Sequence, residues 1–100
     1  MFIPCVYFCL RDDLSPEATT RSTEGIRPLT TIDSVQQGFI GTSTSTDREI
    51  IDRSCSYALV VSVADEAAHD AYQVHPVHDS FRAQCGGSWK KIVIYDAVSA

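Results

Sequence analysis

Apolar residues run almost unbroken from Phe2 to Leu10. The period-two rule divides them into Val6, Phe8 and Leu10 on one face and Ile3, Cys5, Tyr7 and Cys9 on the other. A strand apolar on both faces needs cover on both. Ser15-Pro16-Glu17 then marks a helix start. The Ser15 hydroxyl can cap free N–H groups, proline suits the first helical position, and glutamate favours the positive end of the helix dipole. Ala18, Ser22, Ile26 and Leu29 recur at helical spacing, and Pro28 ends the helix.

Val35, Gln37 and Phe39 alternate against Ser34, Gln36 and Ile40, which predicts a second strand over 33–41. A polar loop from Thr42 to Thr46 follows, with a short helical turn near 48–52. The clearest strand signal covers 55–63, β-branched and aromatic in its middle. Asp65 suits the cap of a second helix, with Ala67, Ala68, Ala71, Tyr72 and His75 along its apolar face. Pro76 breaks that helix, and His75 is placed to cap a further short one running to about Gln84. Gly86-Gly87 ends it, and 91–98 is the last strand.

The order is β-α-β-β-α-β over a single domain, 1–100. This is the ferredoxin-like α+β order, which predicts an antiparallel four-stranded sheet with the helices on one face. The expectation is that Val6, Phe8 and Leu10, with Val93 and Tyr95, lie on the uncovered sheet face. Cys5 and Tyr7, with Ile92, Ile94 and Asp96, would then face the helices. So much contiguous apolar surface is unusual for a monomer, and a second copy packed sheet to sheet would bury it. Strand four is expected antiparallel to strand one, bringing Asp96 near Cys5. Strands one and three are expected to be parallel neighbours, which would keep Cys9 too far from Cys55 to bond.

Composition narrows the partners. The chain has 100 residues, 44% hydrophobic and 21% charged, with a formal charge of −5. Its eight Lys and Arg are scattered, with Lys90-Lys91 the one adjacent pair, which argues against nucleic acid. No apolar run approaches the ~18 residues of a membrane span. The N-terminal stretch lacks the charged start and long apolar core of a signal peptide. A cytoplasmic protein is therefore expected, with Cys5, Cys9, Cys55 and Cys85 as reduced thiols.

Chemistry gathers at Tyr72, His75, His78 and Asp96. His78 falls near the third position of its helix, where the positive dipole end disfavours a charged imidazole. A neutral imidazole beside a carboxylate such as Asp96 makes a general base, and Tyr72 can donate to a carbonyl oxygen. Each has an ordinary structural role as well: Tyr72 as a core aromatic, His75 as a cap or pin, His78 as a satisfied half-buried histidine. Cys5, Cys9, His75 and His78 lack the paired spacing of structural zinc sites, so no metal is expected. There is no G-x-G-x-x-G, no P-loop and no G-x-S-x-G.

Three segments together carry a resemblance: Ser56-Tyr57-Ala58-Leu59-Val60-Val61, then Ala71-Tyr72-Gln73-Val74-His75-Pro76-Val77-His78, then Ile92-Val93-Ile94-Tyr95-Asp96. They resemble the stress-responsive A/B barrel (dimeric α+β barrel) family, whose most recognisable string is Y-x-x-H-P-x-H after a helix. The likeness spans nearly the whole chain and is strongest from Cys55 onward. It implies ferredoxin-like protomers paired sheet to sheet. Within the family the chain looks most like the polyketide cyclase branch of the olivetolic acid cyclase kind. There the positions matching Tyr72 and His78 carry an aldol cyclisation, and the position matching Asp96 supports the histidine. Trp89 matches an aromatic residue. The family's first strand usually holds a pocket-facing histidine where this chain has Cys5.

Two functions follow. In the first, a pocket between sheet and helices takes a small apolar, carbonyl-bearing molecule. His78, Tyr72 and Asp96 do the catalysis, and His75, Cys5, Tyr7 and Trp89 bind the substrate. In the second, the protein is a non-enzymatic stress-response or structural dimer whose histidines only hold the fold. Haem binding occurs in other dimeric α+β barrels and a helix histidine could ligate it. No further feature supports that, and no cofactor is expected.

Overall fold

The computed structural model describes all 100 residues. β1 (Phe2–Leu10) leads into α1 (Pro16–Ile26), which tightens into a 3-10 segment over Arg27–Thr31. β2 (Val35–Thr42) and β3 (Tyr57–Val63) follow, then α2 (Glu66–Gln73), α3 (Pro76–Cys85) and β4 (Trp89–Val98). The strands form one sheet in the order β2-β3-β1-β4, antiparallel throughout. This is the ferredoxin-like fold. The short helical turn expected near 48–52 is a single hydrogen-bonded turn, Ile51 N–H donating to the Arg48 carbonyl at 2.9 Å.

The helix starts fall where the cap residues put them. Ser15 Oγ accepts from the Ala18 N–H at 3.1 Å, Asp65 Oδ1 from the Ala68 N–H at 2.9 Å, and His75 Nδ1 from the Val77 N–H at 3.1 Å. Each satisfies one of the donors that a helix leaves free, a gain of about 0.5–2 kcal/mol. Pro28 has no N–H to give, and at that point the α pattern yields to the 3-10 segment. α1 and α3 cross closely at Gly25, where a Cβ would stand 2.5 Å from Cys85 Sγ.

The core lies between the sheet and the helices: Phe8, Leu59 and Val61 from the strands, Ile26 at the end of α1 with Leu29 and Ile32 after it, and Tyr72, Phe81 and Cys85 from α2 and α3. This reverses the expected facing of β1. Phe8 is buried against the helices, whereas Cys5 pairs with Tyr95 and Val60 on the open face and Tyr7 pairs with Val93. Alternation states which residues share a face. It cannot choose the covered face when both are apolar. For β4 the expectation was right, with Ile92, Ile94 and Asp96 on the helix side.

β1 and β3 are antiparallel, not parallel. A right-handed crossover through α1 makes β2 parallel to β1. β3 runs back against β2 and takes the place between them, so it must oppose β1. Phe8 therefore pairs with Tyr57, and the Ser56 N–H donates to the Phe8 carbonyl at 2.9 Å. That register sets Cys55 beside Cys9, with Cα atoms 3.9 Å apart, and the two form a disulfide. The expectation of four reduced thiols is corrected to two, Cys5 and Cys85.

Candidate functional site

α2 and α3 meet at His75, and their inward faces form one wall of a cavity of about 520 Å³ between helices and sheet. Its floor is Pro4, Val6 and Phe8 of β1, Leu59 of β3, and Ile92, Ile94 and Asp96 of β4. Trp89, at the start of β4, closes one end against Phe8 and Phe81, with ring centroids 5.4 and 5.3 Å away. The lining is mainly apolar, with polar groups in a strip along the helix wall: His69, Tyr72, Gln73, His78 and Arg82.

Tyr72 and His78 meet edge to face, with centroids 5.1 Å apart. His78 Nδ1 is buried and has no hydrogen-bond partner. Charging this ring would create a buried N–H with no acceptor, so the site favours neutral imidazole. Burial holds the His78 pKa below its usual range; the Arg82 guanidinium and His69 push the same way, and Asp79 opposes them. Burial also pushes the Tyr72 phenol up to about 12, which keeps its hydroxyl a donor across the physiological range.

Of the residues expected at the site, Tyr72, His78, Asp96 and Trp89 line this cavity together. Asp96 pairs with Pro4 across the β1–β4 ladder, one position from the place expected near Cys5. Its carboxylate does not hold His78 through Nδ1, which is unpartnered. His75 lies outside the cavity lining and uses its ring as the cap of α3. Cys5 and Tyr7 do not face this cavity. They stand on the opposite side of the sheet, where Tyr7 lines a separate depression of about 430 Å³ with Val93, Tyr95 and the loop before β3.

His69 was missed. The sequence pattern turned Ala67, Ala68, Ala71, Tyr72 and His75 inward, but the buried residues of α2 are His69 and Tyr72. Alanines say little about which way a helix turns, because the largest side chains decide how it seats. His69 stands three residues before Tyr72, a spacing that places both on one face. Its ring stacks on Phe2 with centroids 4.5 Å apart.

The architecture defines an α+β sandwich: one sheet, helices on a single face, and a mainly apolar cavity between them with a tyrosine–histidine pair in its wall. The sequence matches the model of the stress responsive A/B barrel domain over residues 5–99, and the chain belongs to that family. No curated protein matches it. Among solved structures, a protein of Arabidopsis thaliana shares the fold at 20% identity and TM-score 0.82, over 100% of this chain and 96% of that one. A dimeric ferredoxin-like protein of unknown function from Thermobifida fusca aligns at 18% identity and TM-score 0.78, over 98% and 90% of the two chains. The hydroxynitrile lyase of Passiflora edulis aligns at 16% and 0.80, over 99% and 93%. At such identities the likeness is one of fold. No helix of this chain is long and apolar enough to cross a membrane.

Proposed function

We propose that this protein is a homodimeric barrel whose helix–sheet cavity takes a small apolar, carbonyl-bearing molecule and carries out acid–base chemistry on it, of the polyketide cyclase kind. The observation that carries the reading is the Tyr72–His78 pair in the cavity wall, with His78 Nδ1 buried and unpartnered. Neutral His78 takes a proton from the carbon beside a ligand carbonyl, and the Tyr72 hydroxyl donates to the oxygen on which negative charge develops. The carbanion then closes on a second carbonyl of the same chain, and the proton held by His78 returns to the new alkoxide. Asp96 lines the sheet side of the cavity, where its carboxylate can accept a hydrogen bond from the bound molecule. Phe8, Trp89 and Phe81 supply the apolar walls.

The dimer rests on the uncovered sheet face. Tyr95, Cys5, Val60 and Phe39 form one row across all four strands, and Tyr95 and Phe39 are 67% and 62% exposed. A second copy packed face to face removes that row from water. The proposal includes neither nucleic acid nor a membrane surface as a partner and takes the cytoplasm as the protein's location. There a cysteine pair such as Cys9–Cys55 is open to reduction.

The test is turnover of linear polyketone thioesters by the wild type, His78→Ala and Tyr72→Phe proteins. Loss of a positioned base lowers the rate by about 10²–10⁴-fold. Equal turnover by all three would end the catalytic reading. One observation favours a dimer without turnover, namely that His75 is fully employed as a cap. That alternative predicts no ligand-induced melting shift. Sedimentation at micromolar concentration should show twice the 11.0 kDa chain mass, and a species of single mass would remove the dimer.

A further inference from the structure

His69 is an inward-facing side chain whose ring nitrogens neither the fold nor the proposed chemistry uses. It is one of two buried polar residues, 7% exposed; the other, Ser22, lies in α1. Its backbone N–H is spent on the Asp65 carbonyl, as the helix requires. The ring lies flat on Phe2 and is nearly parallel to Tyr72, with centroids 6.2 Å apart. It has no hydrogen bond from its side chain to the rest of the protein. A structural histidine at this depth normally pays for its burial with such a bond. The buried side-chain polar atoms sealed without a partner are Ser34 Oγ and His78 Nδ1. The ring nitrogens of His69 are not among these sealed atoms, and the residue lines the cavity.

The helix wall therefore sets the Tyr72 ring next to two imidazoles, His69 and His78, with centroids 6.2 and 5.1 Å away. The Tyr72–His78 pair can serve one carbonyl, which leaves His69 without a partner from any ligand with a single oxygen. Apart from these three, Gln73, Arg82 and the floor carboxylate Asp96, the lining is apolar, so a ligand that reaches His69 without a polar atom of its own leaves the imidazole unmet. We propose that His69 is a specificity-determining binding residue for a second oxygen, so that the cavity selects ligands with two oxygen functions joined by a short carbon chain, β-diketones above all, over monoketones of the same length. This rests on the pocket reading above and adds the residue that recognises the second oxygen. Phe2 and Tyr72 fix the ring's plane, so its donor edge is pre-oriented and little freedom is lost on binding.

The test compares 2-undecanone with 2,4-undecanedione by calorimetric titration. Wild type should bind the diketone about tenfold more tightly, the worth of one added hydrogen bond. His69→Leu should remove that preference, with the diketone losing about tenfold relative to the monoketone. His69→Gln, which retains a donor and an acceptor, should recover most of it. A residue that merely packs would lower both affinities together. Equal wild-type affinity for the two ketones, or a preference that survives His69→Leu, overturns the role of His69 while the pocket stands. If wild type binds neither ketone, the pocket reading fails and this inference fails with it. Should His69→Leu not fold, the wild-type preference and His69→Gln decide.

Discussion

The two faces of this sheet are built from the same four strands and treat their apolar side chains in opposite ways. On the helix side Phe8, Leu59 and Val61 are 2%, 1% and 1% exposed, sealed by the chain's own helices. On the other side Tyr7, Phe39 and Tyr95 are open to water, and only the loop before β3, pinned by Cys9–Cys55, lies over one end. The difference shows that the closed face is complete within one chain and can hold a site, while the open face is a surface awaiting another. It also separates stability from assembly, because a substitution on one face should not act like a substitution on the other.

Phe8→Ala is the strongest way to probe that separation. It removes a ring packed on Phe81 and Trp89 and should cost about 3–5 kcal/mol in urea denaturation. Tyr95→Ala, at protein concentrations where a dimer has dissociated, should stay within about 0.5 kcal/mol of wild type. Its loss should appear in the dissociation constant instead. Equal costs for the two would mean that the faces do not differ as the exposures imply.

The next largest effect belongs to the bridge. Cys9 and Cys55 are 46 positions apart, so bonding them shortens a long loop of the unfolded chain. Reduction, or Cys55→Ser, should lower stability by about 2–4 kcal/mol. Thiol titration of the denatured, unreduced protein should find Cys5 and Cys85 alone, and all four cysteines after reduction. Four thiols before reduction would remove the bond from the account.

The sequence spoke plainly wherever a local rule decides. Ser15, Asp65 and His75 each cap the helix they were expected to cap, and β1 starts and stops at the expected residues. It was silent wherever two local patterns tie. Phe2 to Leu10 is apolar on both faces, so nothing in the strand itself says that Phe8 faces inward and Tyr7 outward. The turn of α2 was misjudged for a related reason: alanines gave a tidy stripe with little energy in it, while His69, polar by type, was left outside. The Cys9–Cys55 pairing depended on strand direction, a property of the whole topology. That Tyr72, His78 and Asp96 would line one space was legible because a family string marks the first two and the β1–β4 ladder fixes the third.

A smaller effect is expected at His75, which sits between the two helices that wall the cavity but spends its ring on the Val77 N–H. His75→Ala should cost about 1 kcal/mol, and His75→Asn less, since asparagine caps well. Because the ring does not line the cavity, ligand affinity should be unchanged in both. A fall in affinity larger than the fall in stability would move His75 from the frame into the site.

The smallest effect is a pH dependence confined to the closed face. Burial lowers the folded-state pKa of His78 below 6.5, the value its unfolded form keeps. Between those two values the unfolded chain binds a proton that the folded chain refuses, so stability falls as pH drops below about 6.5 and levels off beneath the folded value. Asp13, held low chiefly by its hydrogen bond from Arg11, and Asp52, held low chiefly by Ser54, run in a different window. Their contribution is present above the ordinary aspartate value of 3.8 and is lost only as pH falls below it. Urea midpoints taken from pH 7.5 to 5 should therefore decline in the wild type and flatten in His78→Gln. A slope that survives that substitution would assign the dependence to another group and leave the neutral His78 without its thermodynamic signature.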